Sequence, residues 1–245
     1  MSPGAEQARA ERFAHIWSVL DAALDWERLG VLHCHEGGES FFGVEDRDAI
    51  LDAGLLFADD LAALLTPSGR SLYVGASVAE LVPMLVESQI LGRDVLWYEK
   101  ETPVTTALTQ ALAQVAKELD CQVPLPKIED LPESSDPTCD HLWMVSVLTD
   151  PDVFPALHDR LYERTGELAT GRGDPATELA VAEELTTRAL AFAKTPAIFS
   201  TTDEELRIVR PLCQRLGFDL RVPESARLSA VVGDAVRLCE LVSHR

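Results

Sequence analysis

Apolar residues recur at helical spacing in two long stretches of the first 65 residues. From Ala5 to Trp26 they fall on one face of an amphipathic helix, at Phe13, Ile16, Trp17, Leu20 and Leu24. A second helical stretch covers roughly 46–65 and ends before the turn residues Pro67 and Gly69. Between the two helices lies a glycine-containing stretch, 29–44, which we interpret as a polar loop.

From Arg70 the pattern changes to short apolar runs that alternate with helical stretches. Strands are predicted at 72–74, 94–98, 121–128, 141–148 and 197–200, and prolines in the third make it edge-like. Helices are predicted at 78–87, 105–119, 153–164, 175–194 and 203–216, with Pro83 a weak point in the first. This alternation is typical of a parallel sheet with helices on both faces.

The last three apolar segments, at 218–222, 228–232 and 236–242, follow one another without an intervening helix. A Gly233-Asp234 turn joins the last two of them. The pattern predicts a terminal antiparallel hairpin on an otherwise parallel sheet, and it leaves open which two segments form that hairpin.

Composition, net charge and cysteine count exclude several classes of protein. The chain has 245 residues, 47% of them hydrophobic and 25% charged, which is typical of a globular protein. A net charge of -20 argues against a nucleic-acid surface, which needs a basic stripe. No apolar run reaches membrane-spanning length and no signal-peptide pattern begins the chain. Five scattered cysteines without CxxC spacing indicate free thiols, so we expect a cytoplasmic protein.

The segment that follows the first predicted strand carries the clearest candidate for ligand binding. Leu72 to Val74 lead into a single glycine, Gly75, and the small residues Ala76 and Ser77 open the next helix. A glycine turn lets the backbone approach a ligand, and a helix N-terminus offers N–H groups to an anion. A plain strand-to-helix turn without a ligand is the alternative, because glycine is common in any such turn.

From about Ala58 to the C-terminus the chain resembles the class I S-adenosylmethionine-dependent methyltransferases. The resemblance rests on element order and four local patterns: residues 64–77, 95–99, the two stretches 128–132 and 139–142, and the closing segments. It implies a doubly wound α/β fold with a mostly parallel seven-stranded sheet, a C-terminal antiparallel hairpin and an N-terminal helical cap. The implied domains are a cap at 1–66 and a Rossmann-like domain at 67–245, with a helical insertion at 149–195.

The same resemblance implies that S-adenosylmethionine is the cofactor. Gly75, Ala76 and Ser77 match the glycine turn, and Glu99, which ends the second strand, matches the acid that accepts both ribose hydroxyl protons. The acid near the adenine would be Glu129, with Asp130 beside it, although Lys127 takes that place in the direct match. The chain also departs from the family: Tyr73 replaces an acid before the glycine, and Ser77 and Ala79 replace further glycines.

Two clusters are candidates for catalysis. Asp150 opens an Asp-Pro-Asp-Val-Phe stretch that is similar to the motif of amino-group methyltransferases, although an Asp cap followed by a first-turn proline explains it as well. His33 and His35 would share one side of a strand, where they could act as a base or hold a metal. Because no second ligand pair accompanies them, we predict no metal site.

Two functions therefore remain. The resemblance implies methyl transfer from S-adenosylmethionine to a small-molecule acceptor, while the altered glycine motif keeps open a catalytically inactive, methyltransferase-like binding or scaffolding protein. Another nucleotide-binding Rossmann protein explains the chain less well, since no GxGxxG is present. The helices at 149–195 could cover a ligand crevice. Alternatively, they could form an interaction surface, for example the contact between two copies in a homodimer. We predict no nucleic-acid or membrane partner.

Overall fold

The structure, a computed structural model, describes residues 3–33, 38–133 and 136–243. Its helices are α1 (Pro3–Ala23), α2 (Trp26–His33), α3 (Val44–Leu64), α4 (Leu81–Gln89), α5 (Pro103–Glu118), α6 (Pro155–Leu161), α7 (Pro175–Leu190) and α8 (Leu206–Arg215). Its strands are β1 (Arg70–Val74), β2 (Asp94–Glu99), β3 (Pro126–Ile128), β4 (Cys139–Trp143), β5 (Ala193–Thr202), β6 (Phe218–Arg221), β7 (Arg227–Leu228) and β8 (Ala235–Ser243). None of the described helices is both long enough and apolar enough to cross a membrane.

The chain divides into two compact units. The first contains the described residues up to Arg70, together with Ala76–Asp130 and Ser229–Val232. The second contains Ser71–Gly75, Leu131–Leu228 and the described residues from Gly233 onward. The predicted cap at 1–66 lies within the first unit, and the predicted domain boundary stays a prediction.

In the first unit, α4 packs against β2, which is parallel to β3. Helices α1 and α3 pack against α4, and α1 and α2 pack against α5. The predicted apolar face is confirmed, since its five residues are all at most 8% exposed. Four of them lie in α1, which packs against α4 and α5, and Leu24 follows the end of α1 directly. A fully buried ion pair joins Arg93 to Glu87 at 3.0 Å. The loop prediction for 29–44 is partly wrong, because α2 covers Trp26–His33 and buries Trp26 and Leu29.

In the second unit the strands follow the order β1-β4-β5-β8-β6, and β7 also pairs with β8. Strands β1, β4 and β5 are parallel to one another, whereas β8 is antiparallel to β5, β6 and β7. The question of the closing hairpin is thereby answered. The first segment forms β6, which pairs with β8 over four positions, and the second segment contributes only the two residues of β7.

The predicted fold class is confirmed: a mixed α/β fold with mostly parallel strands and a C-terminal antiparallel pair. The chain has eight described strands rather than seven, because β7 is an additional short one. Three predicted strands have different lengths. The one at 121–128 is reduced to Pro126–Ile128, since Pro124 and Pro126 cannot donate ladder hydrogen bonds. Strand β5 extends over Ala193–Thr202, well beyond the predicted 197–200.

The predicted strand 141–148 is the most informative of these errors. It ends at Trp143, and Ser146 then takes a left-handed backbone conformation with φ of 59°. A left-handed residue cannot continue a strand. The apolar residues that follow are therefore part of a buried loop, which explains why their hydrophobicity resembled that of a strand.

Candidate functional site

The glycine turn after β1 has a packing reason of its own. Gly75 adopts φ of 67°, and a Cβ atom at this position would lie 2.7 Å from Cγ2 of Val147 in the loop after β4. Any side chain would collide there, and the left-handed conformation disfavours one as well. Gly75 is thus required for close contact between two parts of the second unit, whether or not a ligand binds.

In the first unit, Ala76 and Ser77 lead into a 3-10 turn at Val78–Glu80, and α4 starts only at Leu81. Pro83 therefore lies in the first turn of α4, where its missing N–H is not needed. The backbone N–H of Ser77 donates to Oε2 of Glu80 at 2.8 Å. The Ser77 hydroxyl is buried and has no hydrogen-bond partner among the described residues.

Glu99, Glu129 and Asp130 lie at one edge of the β2–β3 pair. The register places Glu99 opposite Ile128, so Glu129 and Asp130 follow at the same carboxyl end. Glu99 is half-buried, and its Oε1 accepts a hydrogen bond from the Lys100 N–H at 2.8 Å. The other two carboxylates are exposed. The structure therefore brings three of the predicted cofactor residues together.

Lys127, the alternative to Glu129, is engaged with a neighbouring side chain. Its Nζ lies 4.9 Å from the centre of the Tyr98 ring and 3.3 Å from the Tyr98 hydroxyl. This arrangement is a cation–π contact with an added hydrogen bond.

Asp150 closes a tight turn in the second unit. Its Oδ1 accepts from the Asp152 N–H at 2.8 Å, and its carbonyl accepts from the Phe154 N–H at 2.7 Å. Helix α6 begins at Pro155, so the predicted helix start at 153 is wrong and Asp150 is not its cap. The local turn nevertheless explains the aspartate and the proline without a ligand.

The histidine cluster is only partly described. His33 is exposed at the end of helix α2, not on a strand as predicted, and its ring packs against those of Phe41 and Phe42. His35, with Cys34 and Glu36, lies outside the described residues. No group of three or more potential metal ligands occurs among residues 3–33, 38–133 and 136–243.

Sequence reasoning missed a set of polar residues around the loop after β4. The fully buried Glu205 accepts hydrogen bonds from the Leu148 N–H at 2.7 Å, from the Thr201 hydroxyl at 2.9 Å and from the Thr202 N–H at 3.2 Å. Its burial raises the pKa of Glu205, and these hydrogen bonds oppose the shift. The carboxylate thereby fixes the backbone of this loop.

Close by in the second unit lies what we call the Tyr162 cluster: Ser146, Thr149, Tyr162, Glu204 and Asp234. Oδ2 of Asp234 accepts hydrogen bonds from the Tyr162 hydroxyl at 2.5 Å and from the Ser146 hydroxyl at 3.0 Å. Burial, followed by the hydrogen bond to Asp234, raises the pKa of Tyr162. No local sequence signal identifies this cluster, since Asp234 is 72 residues from Tyr162 and 88 from Ser146.

The sequence matches no family model, and no curated protein matches it. Solved structures do show similarity. A methyltransferase from Pyrococcus furiosus is 11% identical with a TM-score of 0.48, over 78% of this chain and 83% of that one. An S-adenosylmethionine-dependent O-methyltransferase from Thermotoga maritima is 14% identical with a TM-score of 0.47, over 79% and 66%.

A third similar structure is TYW2 from M. jannaschii in complex with AdoMet, which is 10% identical with a TM-score of 0.45, over 79% of this chain and 77% of that one. Two of these three structures are named as methyltransferases, and the third is a complex with AdoMet. This chain spans less than two thirds of some of them, 64% in one case and 45% in another. At these identities the similarity concerns the fold, and it assigns no activity to this chain.

Proposed function

We propose that this protein binds S-adenosylmethionine and transfers the methyl group to a small-molecule acceptor. The observation that carries the proposal is the position of Glu99 at the carboxyl end of β2, beside the end of β3. Ligands of α/β sheets bind outside the carboxyl ends of the strands. A carboxylate there can accept hydrogen bonds from two vicinal ribose hydroxyls, which is the role we give Glu99.

The residues at the turn fit the amino end of the cofactor. Tyr73 stands where the family has an acid, and it is fully buried. Glu80 supplies a carboxylate at the turn instead, since its Oε2 contacts the N–H of Ser77. We therefore assign to Glu80, which sequence reasoning missed, the attraction of the cofactor's positively charged amino group. The unpartnered Ser77 hydroxyl is a second group available to a ligand there.

When bound, S-adenosylmethionine supplies a methyl group on a positively charged sulfur. Methyl transfer is a displacement in which much of the acceleration comes from positioning the two reactants. The protein therefore needs groups that hold and orient the cofactor and the acceptor, and carboxylates and hydroxyls can do this. Glu129 and Asp130 complete the set that we assign to the cofactor, with Gly75, Ala76 and Ser77.

One observation favours the alternative, an inactive methyltransferase-like binding or scaffolding protein. The Ser77 N–H, which would meet the carboxylate of a bound cofactor, already donates to Glu80. A carboxylate at this position repels a second one. Asp150, a candidate for acceptor binding, is likewise used in its own turn.

Calorimetric titration distinguishes the two functions. We expect heat of binding with both S-adenosylmethionine and S-adenosylhomocysteine, and we expect Glu80→Gln to weaken both. The control is Ser88→Ala, which changes a half-buried polar residue near the end of α4. This variant should bind both ligands as the wild type does. Folded wild-type protein that gives no heat with either ligand at millimolar concentration would contradict the proposal and leave the scaffolding function.

A further inference from the structure

A small cavity lies where helices α6, α7 and α8 meet in the second unit. Helix α7 packs against both α6 and α8, and residues from all three helices line the cavity. Its volume is about 260 Å³, which suits a ligand smaller than a drug molecule. Most of its lining residues are apolar, namely Leu157, Leu161, Leu179, Ile208 and Pro211.

The cavity reaches from the core of the second unit to its surface. Leu157, Leu161 and Ile208 are buried, each at most 7% exposed, and Leu179 is half-buried. Pro211 is exposed. A ligand can therefore enter from solvent and place its apolar part against buried side chains. Such contact removes apolar surface from water and favours binding.

The other lining residues are charged: Arg160, Glu183 and Arg207. Two of these three charges are compensated within the second unit. Glu183 pairs with Arg215 at 2.7 Å, and Arg207 pairs with Glu163 at 3.6 Å. Only the charge of Arg160 is left to consider.

The guanidinium of Arg160 has no carboxylate beside it. Within the part of the chain that the structure describes, it takes part in no ion pair and in no hydrogen bond. Acidic side chains are plentiful in this protein, which has 41 of them against 21 basic ones. The cavity nevertheless carries one uncompensated positive charge at its exposed side.

We propose that this cavity binds a small carboxylic acid with an apolar body, and that the carboxylate of this ligand pairs with Arg160. A guanidinium can donate two parallel N–H bonds to one carboxylate. A single carboxylate balances the single uncompensated charge, whereas a phosphate dianion brings two charges and a neutral ligand brings none. The apolar body contacts Leu157, Leu179 and Ile208.

Contacts from α8 fix the three helices around the cavity. Nη1 of Arg207 donates to the Leu161 carbonyl at 3.2 Å and so joins α8 to the end of α6. The pair between Arg215 and Glu183 joins α8 to α7. Pro211 lies inside α8 and adds a rigid ring to the cavity wall. A wall that is already fixed lowers the entropic cost of binding.

The proposal goes beyond the proposed function and does not depend on it, since all eight lining residues belong to the second unit. Its test therefore needs no S-adenosylmethionine. Sodium benzoate is titrated into the full chain at constant pH and ionic strength, and binding is followed by NMR chemical shifts. Benzamide, which has the same ring without the charge, and acetate, which has the charge without the ring, are titrated in parallel.

We expect saturable shifts in α6, α7 and α8 with benzoate, and at least about tenfold weaker binding of benzamide and of acetate. Arg160→Gln should raise the dissociation constant of benzoate roughly tenfold, as expected for the loss of a hydrogen bond to a charged group. Arg164→Gln is the matched control. It removes an exposed arginine that lies over the Tyr162 ring and does not line this cavity, so the change should be less than about twofold.

A second pair of variants tests the apolar wall. Leu179→Ala removes a half-buried side chain from the cavity and keeps a good helix former, so we expect a folded protein that binds benzoate about fivefold more weakly. Val181→Ala changes an exposed residue of the same helix outside the cavity and should have an effect of less than about twofold.

Several results would overturn the proposal. They are the absence of a saturable shift at millimolar benzoate, shifts that occur only outside the three helices, and equal affinity for benzamide or for acetate. Benzoate binding that is unchanged in Arg160→Gln or in Leu179→Ala would also overturn it.

Discussion

The carboxylates of the two units differ in burial and in the number of hydrogen bonds that they accept. At the β2–β3 edge of the first unit, Glu129 and Asp130 are exposed and Glu99 is half-buried. In the second unit, Glu205 and Asp234 are buried and accept hydrogen bonds from distant parts of the chain. A buried carboxylate with several donors fixes backbone, whereas one at an exposed strand end contributes little to stability. The comparison therefore separates residues that build the fold from residues that can serve a ligand.

Replacement of Glu205 should have the largest effect. Glu205→Ala leaves the Leu148 and Thr202 N–H groups and the Thr201 hydroxyl buried without their acceptor. We expect the free energy of unfolding to fall by about 3–5 kcal/mol, measured by urea denaturation. Glu129→Ala, at the exposed edge, is the matched control and should change it by less than about 0.5 kcal/mol. Equal losses in the two variants would remove the distinction between the units' carboxylates.

A second experiment tests whether Gly75 is required by packing. Gly75→Ala introduces both an unfavourable φ and a Cβ 2.7 Å from Val147 Cγ2, so we expect a loss of about 3 kcal/mol. Gly217→Ala has a similar φ of 83° but no atom within 4 Å, and it should cost only about 1 kcal/mol. The difference between the two, from thermal or urea unfolding, measures the contact with Val147. Identical losses would mean that backbone conformation alone requires Gly75.

The pair between Asp203 and Arg237 should have a smaller, pH-dependent effect. The hydrogen bonds from Arg237 lower the pKa of Asp203 from its ordinary value of 3.8. The pair therefore contributes its full stability at a pH above that ordinary pKa, and this stability is lost as the pH falls through the lowered pKa. Since the carboxylate is 38% exposed, water screens it, and Asp203→Asn should cost about 0.5–1 kcal/mol at neutral pH.

Denaturation of wild type and Asp203→Asn at several pH values checks this prediction. The difference in unfolding free energy should be present near neutral pH and shrink as the solution is acidified. Asp219→Asn, which alters an exposed pair with Arg221 at 3.7 Å, is the control and should show almost no difference at any pH. A difference that grows in acid would have the wrong sign for a lowered pKa.

Local patterns in the sequence were enough to predict most of the fold. Helical spacing identified α1 and α3, and strand–helix alternation identified β1, β2 and β4, because these signals depend on neighbouring residues. The dependence on neighbouring residues also explains the errors in the predicted strand lengths. The length of β4 was overestimated, since a buried loop and a buried strand have the same apolar composition. Only the left-handed Ser146 and the distant Glu205 distinguish them.

The polar residues described above also divide into those that local sequence patterns identify and those that they do not. The position of Glu99, Glu129 and Asp130 at strand ends could be predicted, because Glu99 ends β2 and the other two come directly after β3. Glu80 was missed although it lies only three residues after Ser77, since its side chain turns back toward the N–H of that residue. Tyr162 and Asp234 gave no signal at all, because Tyr162 follows α6, Asp234 precedes β8, and the two meet only in the folded chain.

The central claim is that Glu99 holds the ribose of S-adenosylmethionine, and calorimetric titration of Glu99→Gln tests it most directly. Glu101→Gln, the same change at an exposed residue two positions further on, is measured beside it as the control. The proposal predicts that S-adenosylmethionine binds the wild type and Glu101→Gln equally, and Glu99→Gln at least about tenfold more weakly. Equal affinity in all three folded proteins, or no binding by the wild type, would contradict it.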